Sequence, residues 1–440
     1  MAVAREQREG RRGLTAFRRH VSAPLFRNAY FLILSSTMSS ALGLPFWALA
    51  ARNYTAADVG RASAILSALA LISGVAQLGM TSVLPRYLPG SGRRTRRFVL
   101  ATYGVTVLLA LALGAIAAAT SSLWSPPLKF LATDDQWFAL CVGMTAIWTI
   151  SALQDAVMTG LREARWVPVE NITMGVAKIA LVVVLATSHP HAGIVLALLV
   201  PMVVLLLPVN AAIFGRFIPT HERAAASSAP SWRVQDIRRL IVGNFAGDTA
   251  SLVIAFFLPI LVVDLAGPRQ GAYFYIPWTI SIGLRFIAQN MAISMTVETA
   301  FDETKRREHL RRVLTGTFRL LLPAVVVVLL AGPYVLELFG HRYAVAGTTT
   351  LRLLAIATIP HAVSMLGLGL ARVRHDGRFV GTVQVTDAVV MLAVSAALIP
   401  SIGIEGAGIG WLAAQSVAAA MSGPSLWRAY RGPTAPATIG

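Results

Sequence analysis

The stretch TISIGLRFIAQNM, residues 279–291, carries an arginine, Arg285, in the middle of an apolar run. A cation at the centre of a membrane-crossing helix costs roughly 2.5 to 3.5 kcal/mol on insertion scales, so it faces protein or water and marks a pathway or an ion pair. Helical spacing stacks Trp278, Ser281, Arg285 and Gln289 on one face, while Ile280, Ile282, Leu284, Phe286 and Ile287 cover much of the remainder. Similar polar stripes recur in Asn244, Asp248 and Ser251, in Ser36, Ser39 or Ser40 with Gly43, and in Gln77 with Thr81. The planar donors of a guanidinium grip the oxygens of an anion such as phosphate in pairs, and more firmly when dry. On that reading Arg285 binds an anion, with Asp248 as its counter-ion in the empty state. The competing reading makes Arg285 and Asp248 a buried ion pair that meets no ligand.

Other charges fall within apolar runs as well. Lys178 shares a face with Asn171, and Asp387 stands beside Gln384 and Ser395. Each needs a partner or water, and the two are expected to act as an ion relay or as structural pairing groups. Arg61 lies near the end of its run, where it either meets a ligand or anchors the helix at the surface. Arg319 and Arg352 are close enough to helix ends to snorkel.

Several chemistries find no support in the sequence. With one cysteine, Cys141, no intramolecular disulfide or cysteine metal cluster can form. The histidines of SHPHAG, His189 and His191, are too few to close a metal site. Asp134 and Asp135 in ATDDQW read as an exposed loop. The glycines of EGAGIGW lack a Walker lysine and a preceding soluble strand, and Gly406 and Gly410 form a small-xxx-small pair suited to helix packing. No catalytic residue, metal or cofactor is expected.

The elements that hold these side chains follow from composition. Hydrophobic residues make up 56% of the 440-residue chain and charged residues 13%, about half the ~25% charged content of a soluble domain. The apolar residues gather in twelve stretches near the ~20 residues a bilayer core needs: about 29–50, 62–85, 98–120, 136–158, 167–187, 193–214, 240–263, 271–297, 313–338, 344–370, 379–399 and 403–421. The formal net charge of +18 rests on 38 basic residues that sit mostly in alternate loops. Those loops are read as cytoplasmic under the positive-inside rule, with both termini inside and no nucleic-acid partner. The expected organisation is a basic cytoplasmic tail (1–28), a first lobe (29–214), a cytoplasmic linker (215–239), a second lobe (240–421) and a cytoplasmic tail (422–440). Weak echoes between the halves support a parallel repeat: ADVGRASAILSALALISG matches PRQGAYFYIPWTISIGLR, with Gly60 and Gly271 opening each helix, and HAGIVLALL matches GAGIGWLAA.

NAYFLILSSTMSSALGLPFWALAARNYTAADVGRASAI, LELFGHRYAVAGTTTLRLLAIATIP and IPSIGIEGAGIGWLAAQSVAAAM give the chain a whole-length resemblance to the multidrug/oligosaccharidyl-lipid/polysaccharide (MOP) exporter superfamily and, within it, to Wzx-like polysaccharide flippases. The resemblance implies an all-α polytopic, MATE-like fold of about twelve spans in two six-helix lobes. It also implies a V shape, alternating access, and a central cavity lined mainly by helices 1, 2, 7 and 8. Its implied cargo is a polyprenyl-(pyro)phosphate-linked oligosaccharide for cell-envelope or exopolysaccharide synthesis, flipped across a bacterial inner membrane. Its implied partners are membrane lipids and a glycan polymerase or glycosyltransferases. Substrate contacts are then expected from Arg285, Asp248, Asn244, Gln289, Ser281 and Arg61. The alternatives are a cation-coupled multidrug exporter of the MATE type, which would want acids in its cavity, and a membrane glycosyltransferase or polymerase. The usual large outer loop of the last is missing, since the longest here, 121–135, has about fifteen residues.

Overall fold

A computed structural model describes residues 38, 41–225, 230, 232–301, 306–374 and 376–431, without the side chains of 244, 293–301 and 306–309. The expected tail 1–28 and the serines at 36, 39 and 40 lie outside the described residues, as do parts of the expected linker and C-terminal tail.

The protein is an all-α polytopic membrane protein with no strand among its described residues. Helix α1 covers 41–53. It is followed by α2 (Ala56–Ala76), α3 (Met80–Tyr87), α4 (Thr95–Ala119), α5 (Asp135–Gly160), α6 (Trp166–Ser188) and α7 (Gly193–Ala212). The second half holds α8 (Val234–Ala266), α9 (Pro268–Phe301), α10 (Arg306–Glu337), α11 (His341–Val373), α12 (Gly377–Ile402) and α13 (Ile404–Arg431). Nine of the described helices are long and apolar enough to cross a membrane. Of the twelve expected stretches, α1, α9 and α13 are helical without belonging to those nine. Large apolar side chains such as Leu108, Leu207, Val327 and Leu330 stay exposed on the outside of the bundle, where hydrocarbon rather than water solvates them without penalty.

The second expected span is not one helix. Leu78 and Gly79 adopt positive φ, 51° and 72°, between α2 and α3, and this break puts Gln77 and Thr81 on separate helices. Gln77 instead donates to the Ser73 hydroxyl at 3.1 Å in the buried end of α2.

Packing divides the chain. Helices α3 to α7 pack mainly among themselves, as do α8 to α13, while α2 touches the first set but packs chiefly on α8 and α9, where the two sets meet. At the arginine-poor end one apolar core runs through both sets, from Phe46 and Leu69 to Phe274, Leu354 and Trp411. At the arginine-rich end the cores separate. One gathers residues 80–241 around Leu84, Leu153 and Val167; others gather residues 284–429 around Leu310, Leu321 and Leu366. The halves are therefore joined at one end and hold separate cores at the other.

Sequence explains the joint. Gly60, in the first turns of α2, lies so close to the start of α9 that a Cβ there would fall 1.7 Å from the Pro268 carbonyl oxygen. Trp47 packs edge-on to Tyr275 at 4.6 Å between ring centroids, and Arg52 Nε donates to Leu338 O at 2.8 Å.

Candidate functional site

A cavity of about 600 Å³ opens within the second half, a size suited to a small-molecule group. Its wall is drawn from α8 (Ser251, Ile254), α9 (Arg285, Gln289), α11 (His361, Arg372), α12 (Gln384, Asp387) and α13 (Trp411). Helices α1 and α2, expected as main lining elements, contribute no residue to it. Polar side chains converge there because one or two per helix interrupt apolar runs, and the packing of α11 on α13 and of α12 on α13 brings the interruptions to one level.

Arg285 stands in this wall. Its guanidinium lies over Trp278 at 4.3 Å and over Trp411 at 5.0 Å, measured to the ring centroids. The two indoles, edge to face at 5.1 Å, form a π-rich cleft that attracts a cation without neutralising it. The Nε of Arg285 is buried and has no hydrogen-bond partner.

The expected counter-ion is corrected. Arg285 interacts electrostatically with Asp387, and Asp248 does so with Arg372. Asp248 sits on α8 beside the α2–α3 break, where its carboxylate approaches Gly79. Asp387 is 7% exposed and receives two hydrogen bonds from Gln415 Nε2, each 2.9 Å. Gln415 Oε1 in turn meets His361 Nδ1 at 2.8 Å. Gln384, also in the wall, donates to the Ser251 hydroxyl at 2.5 Å.

The remaining expected residues divide. Gln289 lines the cavity and is exposed to it. Ser281 does not reach it: fully buried, it donates to Trp278 O at 2.7 Å, on the side of α9 packed against protein. The side chain of Asn244 lies outside the described residues. Arg61 pairs with Asp58 at 3.4 Å at the joined end, where Asp58 also holds Thr55 and His191. Lys178 and Asp387 are not brought together. The Lys178 ammonium lies 5.4 Å from the centroid of the Phe46 ring in the first half. Asp134 caps α5, accepting from Gln136 N and Trp137 N, and among the described residues no group of three or more His, Cys, Asp and Glu side chains could hold a metal.

Sequence reasoning missed His361, Gln415 and Arg372. His361 and Gln415 are single polar residues in apolar runs, as in TIPHAVSM and WLAAQSV, whereas Arg372 reads as one of the basic loop residues of ARVRHDGR, and nothing local ties one to another.

No family model matches the sequence, and no curated protein matches it. Solved structures do resemble it. An inward-facing conformation of a multidrug resistance MATE family transporter of the MOP superfamily aligns with 90% of this chain and 97% of its own, at 17% identity and a TM-score of 0.67. The outward-facing conformation of a MATE family transporter of that superfamily covers 92% and 94%, at 16% identity and a TM-score of 0.57. A MOP superfamily transporter from Pyrococcus furiosus, described as having a binding pocket of reverse polarity that suggests a different function, covers 92% and 96% at 18% identity and a TM-score of 0.60. The chain has the fold of the MATE transporters of the MOP superfamily.

Proposed function

We propose that this protein is an alternating-access membrane transporter whose cargo is an anionic lipid-linked glycan, moved between leaflets with its polyprenyl (pyro)phosphate group held at Arg285. The cell membrane of a bacterium, with arginine-rich loops on the cytoplasmic side, is the setting in which this cargo arises. Partners would be the enzymes that build and polymerise the glycan.

One observation carries the reading. Arg285 presents a guanidinium with an unpartnered Nε in the wall of a cavity that also holds Arg372. The one acid in that wall, Asp387, is already bound at both oxygens by Gln415. An acid satisfied by an amide leaves the cation free for a ligand, and a bidentate contact to phosphate suits arginine better than lysine. Separate cores at the arginine-rich end, and a higher TM-score to an inward-facing than to an outward-facing transporter, support an opening on that side.

The second reading, a cation-coupled exporter of organic cations, draws on the fold of the MATE structures and on Asp387 in the wall. Reconstitution separates the two. A fluorescent polyprenyl-pyrophosphate oligosaccharide placed in one leaflet of proteoliposomes should cross faster with the protein than without it. Absence of flipping together with efflux of cationic dyes would move the assignment to the exporter.

A further inference from the structure

A second polar cluster lies outside the cavity, in the first half near the arginine-rich end. Tyr103 of α4, Asp155 of α5 and Glu170 of α6 come from three helices and interact electrostatically with one another. Glu170 is only 9% exposed. Its Oε2, the Oδ1 of Asp155 and the Tyr103 hydroxyl are all buried without a hydrogen-bond partner. The side chain of Asn171, next in sequence to Glu170, reaches Asp155 Oδ2 at 3.3 Å and Val167 O at 3.1 Å. Among the described residues no basic side chain is paired with either acid.

Two carboxyls at one buried site cannot both carry charge without a compensating cation. Three buried oxygens without partners, on side chains from three neighbouring helices, leave the cluster short of a donor, and a proton on one carboxyl both supplies a donor and removes a buried charge. No proton-independent packing reason explains the acids, because a leucine and a glutamine would fill the same space without desolvating a charge.

The location gives that proton consequences. Tyr103 packs edge-on to Phe214 at 6.1 Å between centroids, and Phe214 lies in a π-helical turn, Ile213–Phe217, that follows α7. Such turns mark functional sites more often than chance. This one leads into Ile218–Ala224 and the connection to α8. On the same side, His221 interacts with Glu222 and Arg162, and Asn210 of α7 leaves its Oδ1 unpartnered.

We infer that Glu170 and Asp155, with Tyr103, form a proton-binding site in the first half, exchanging with the arginine-rich side and bearing on the segment that joins the halves. This goes beyond the cargo assignment and does not depend on it.

Infrared difference spectroscopy of the purified full-length protein against pH tests the site without any substrate. The expected result is a protonated-carboxyl band that titrates in the parent, is lost in Glu170→Gln and is lost or weakened in Asp155→Asn. Tyr103→Phe, which keeps both acids, should shift the midpoint of that titration. The inference is overturned by a band that both acid variants leave unchanged, or by the absence of any titrating carboxyl band in the parent. Should one acid variant fail to fold, the other and the tyrosine variant decide on the same readout.

Discussion

Gln415 donates one side-chain amide to both oxygens of Asp387 and sets its own carbonyl oxygen against His361 Nδ1. The direction of each bond follows. An amide nitrogen that donates to a carboxylate leaves its oxygen to accept, so Nδ1 of His361 carries the proton. Replacing Gln415 by leucine strips a buried acid of its partner, which costs about 2 to 3 kcal/mol for hydrogen bonds to a charged group. The variant should unfold at a lower temperature in detergent. Asp387 should also draw Arg285 off the indoles and weaken binding of inorganic pyrophosphate, read by calorimetry. Adding Asp387→Asn should recover much of both losses, and a double variant no better than Gln415→Leu would contradict this account.

Arg285 itself gives the sharpest contrast. Lysine keeps the charge but loses the planar fork and its stacking between Trp278 and Trp411. Loss of one bidentate contact, on the order of 1.4 kcal/mol, corresponds to about tenfold. Flipping of the lipid-linked probe should therefore fall about tenfold in Arg285→Lys and further in Arg285→Ala, while the amount of folded protein stays near the parent's. Equal rates in all three proteins would sink the anion-binding role and leave Arg285 a structural residue.

How much of this the sequence disclosed depends on the range of the interaction. Spans are local: length and apolar content place α4 to α7, α9, α11 and α12 within a few residues of the expected stretches, while α8 and α10 begin six and seven residues before theirs. Arg285 is legible for the same reason, since a cation in an apolar helix stands out by itself. Its partner is not legible. Asp248 is the natural choice from the preceding span, yet the acid whose charge acts on Arg285 is Asp387, more than a hundred residues away and brought near without an ion pair only through the packing of α9, α11, α12 and α13. The α2–α3 break was equally hidden, because nothing about Leu78 announces a left-handed backbone. Ser281 shows the limit of face assignment. A helix packed on several neighbours has more than one inward side, and periodicity alone does not say which side holds the cavity.

Gly60 tests the joint between the halves. Any Cβ at that position meets the Pro268 carbonyl oxygen at 1.7 Å, a backbone atom that cannot swing aside. Gly60→Ala should part α2 from α9 at the arginine-poor end and populate states open there. In a Cys141→Ala background, a cysteine placed at Tyr275, beside Trp47, should react faster with a membrane-impermeant maleimide once Gly60→Ala is added. An unchanged labelling rate would mean that the close approach does not control that end.

The direction of transport is open to a physical test as well. A pyrophosphate moving out of a negative-inside compartment travels with the field, which is worth about 2.3 kcal/mol per elementary charge per 100 mV. Arg285 and Arg372, if carried through the field with the cargo, would offset part of that gain. Proteoliposomes loaded with a potassium gradient and valinomycin should flip the probe faster at inside-negative than at zero potential. The stimulation should grow in Arg372→Gln, which removes one compensating positive charge without touching Arg285. A rate indifferent to potential in both proteins would rule out electrophoretic drive and leave product removal as the source of direction.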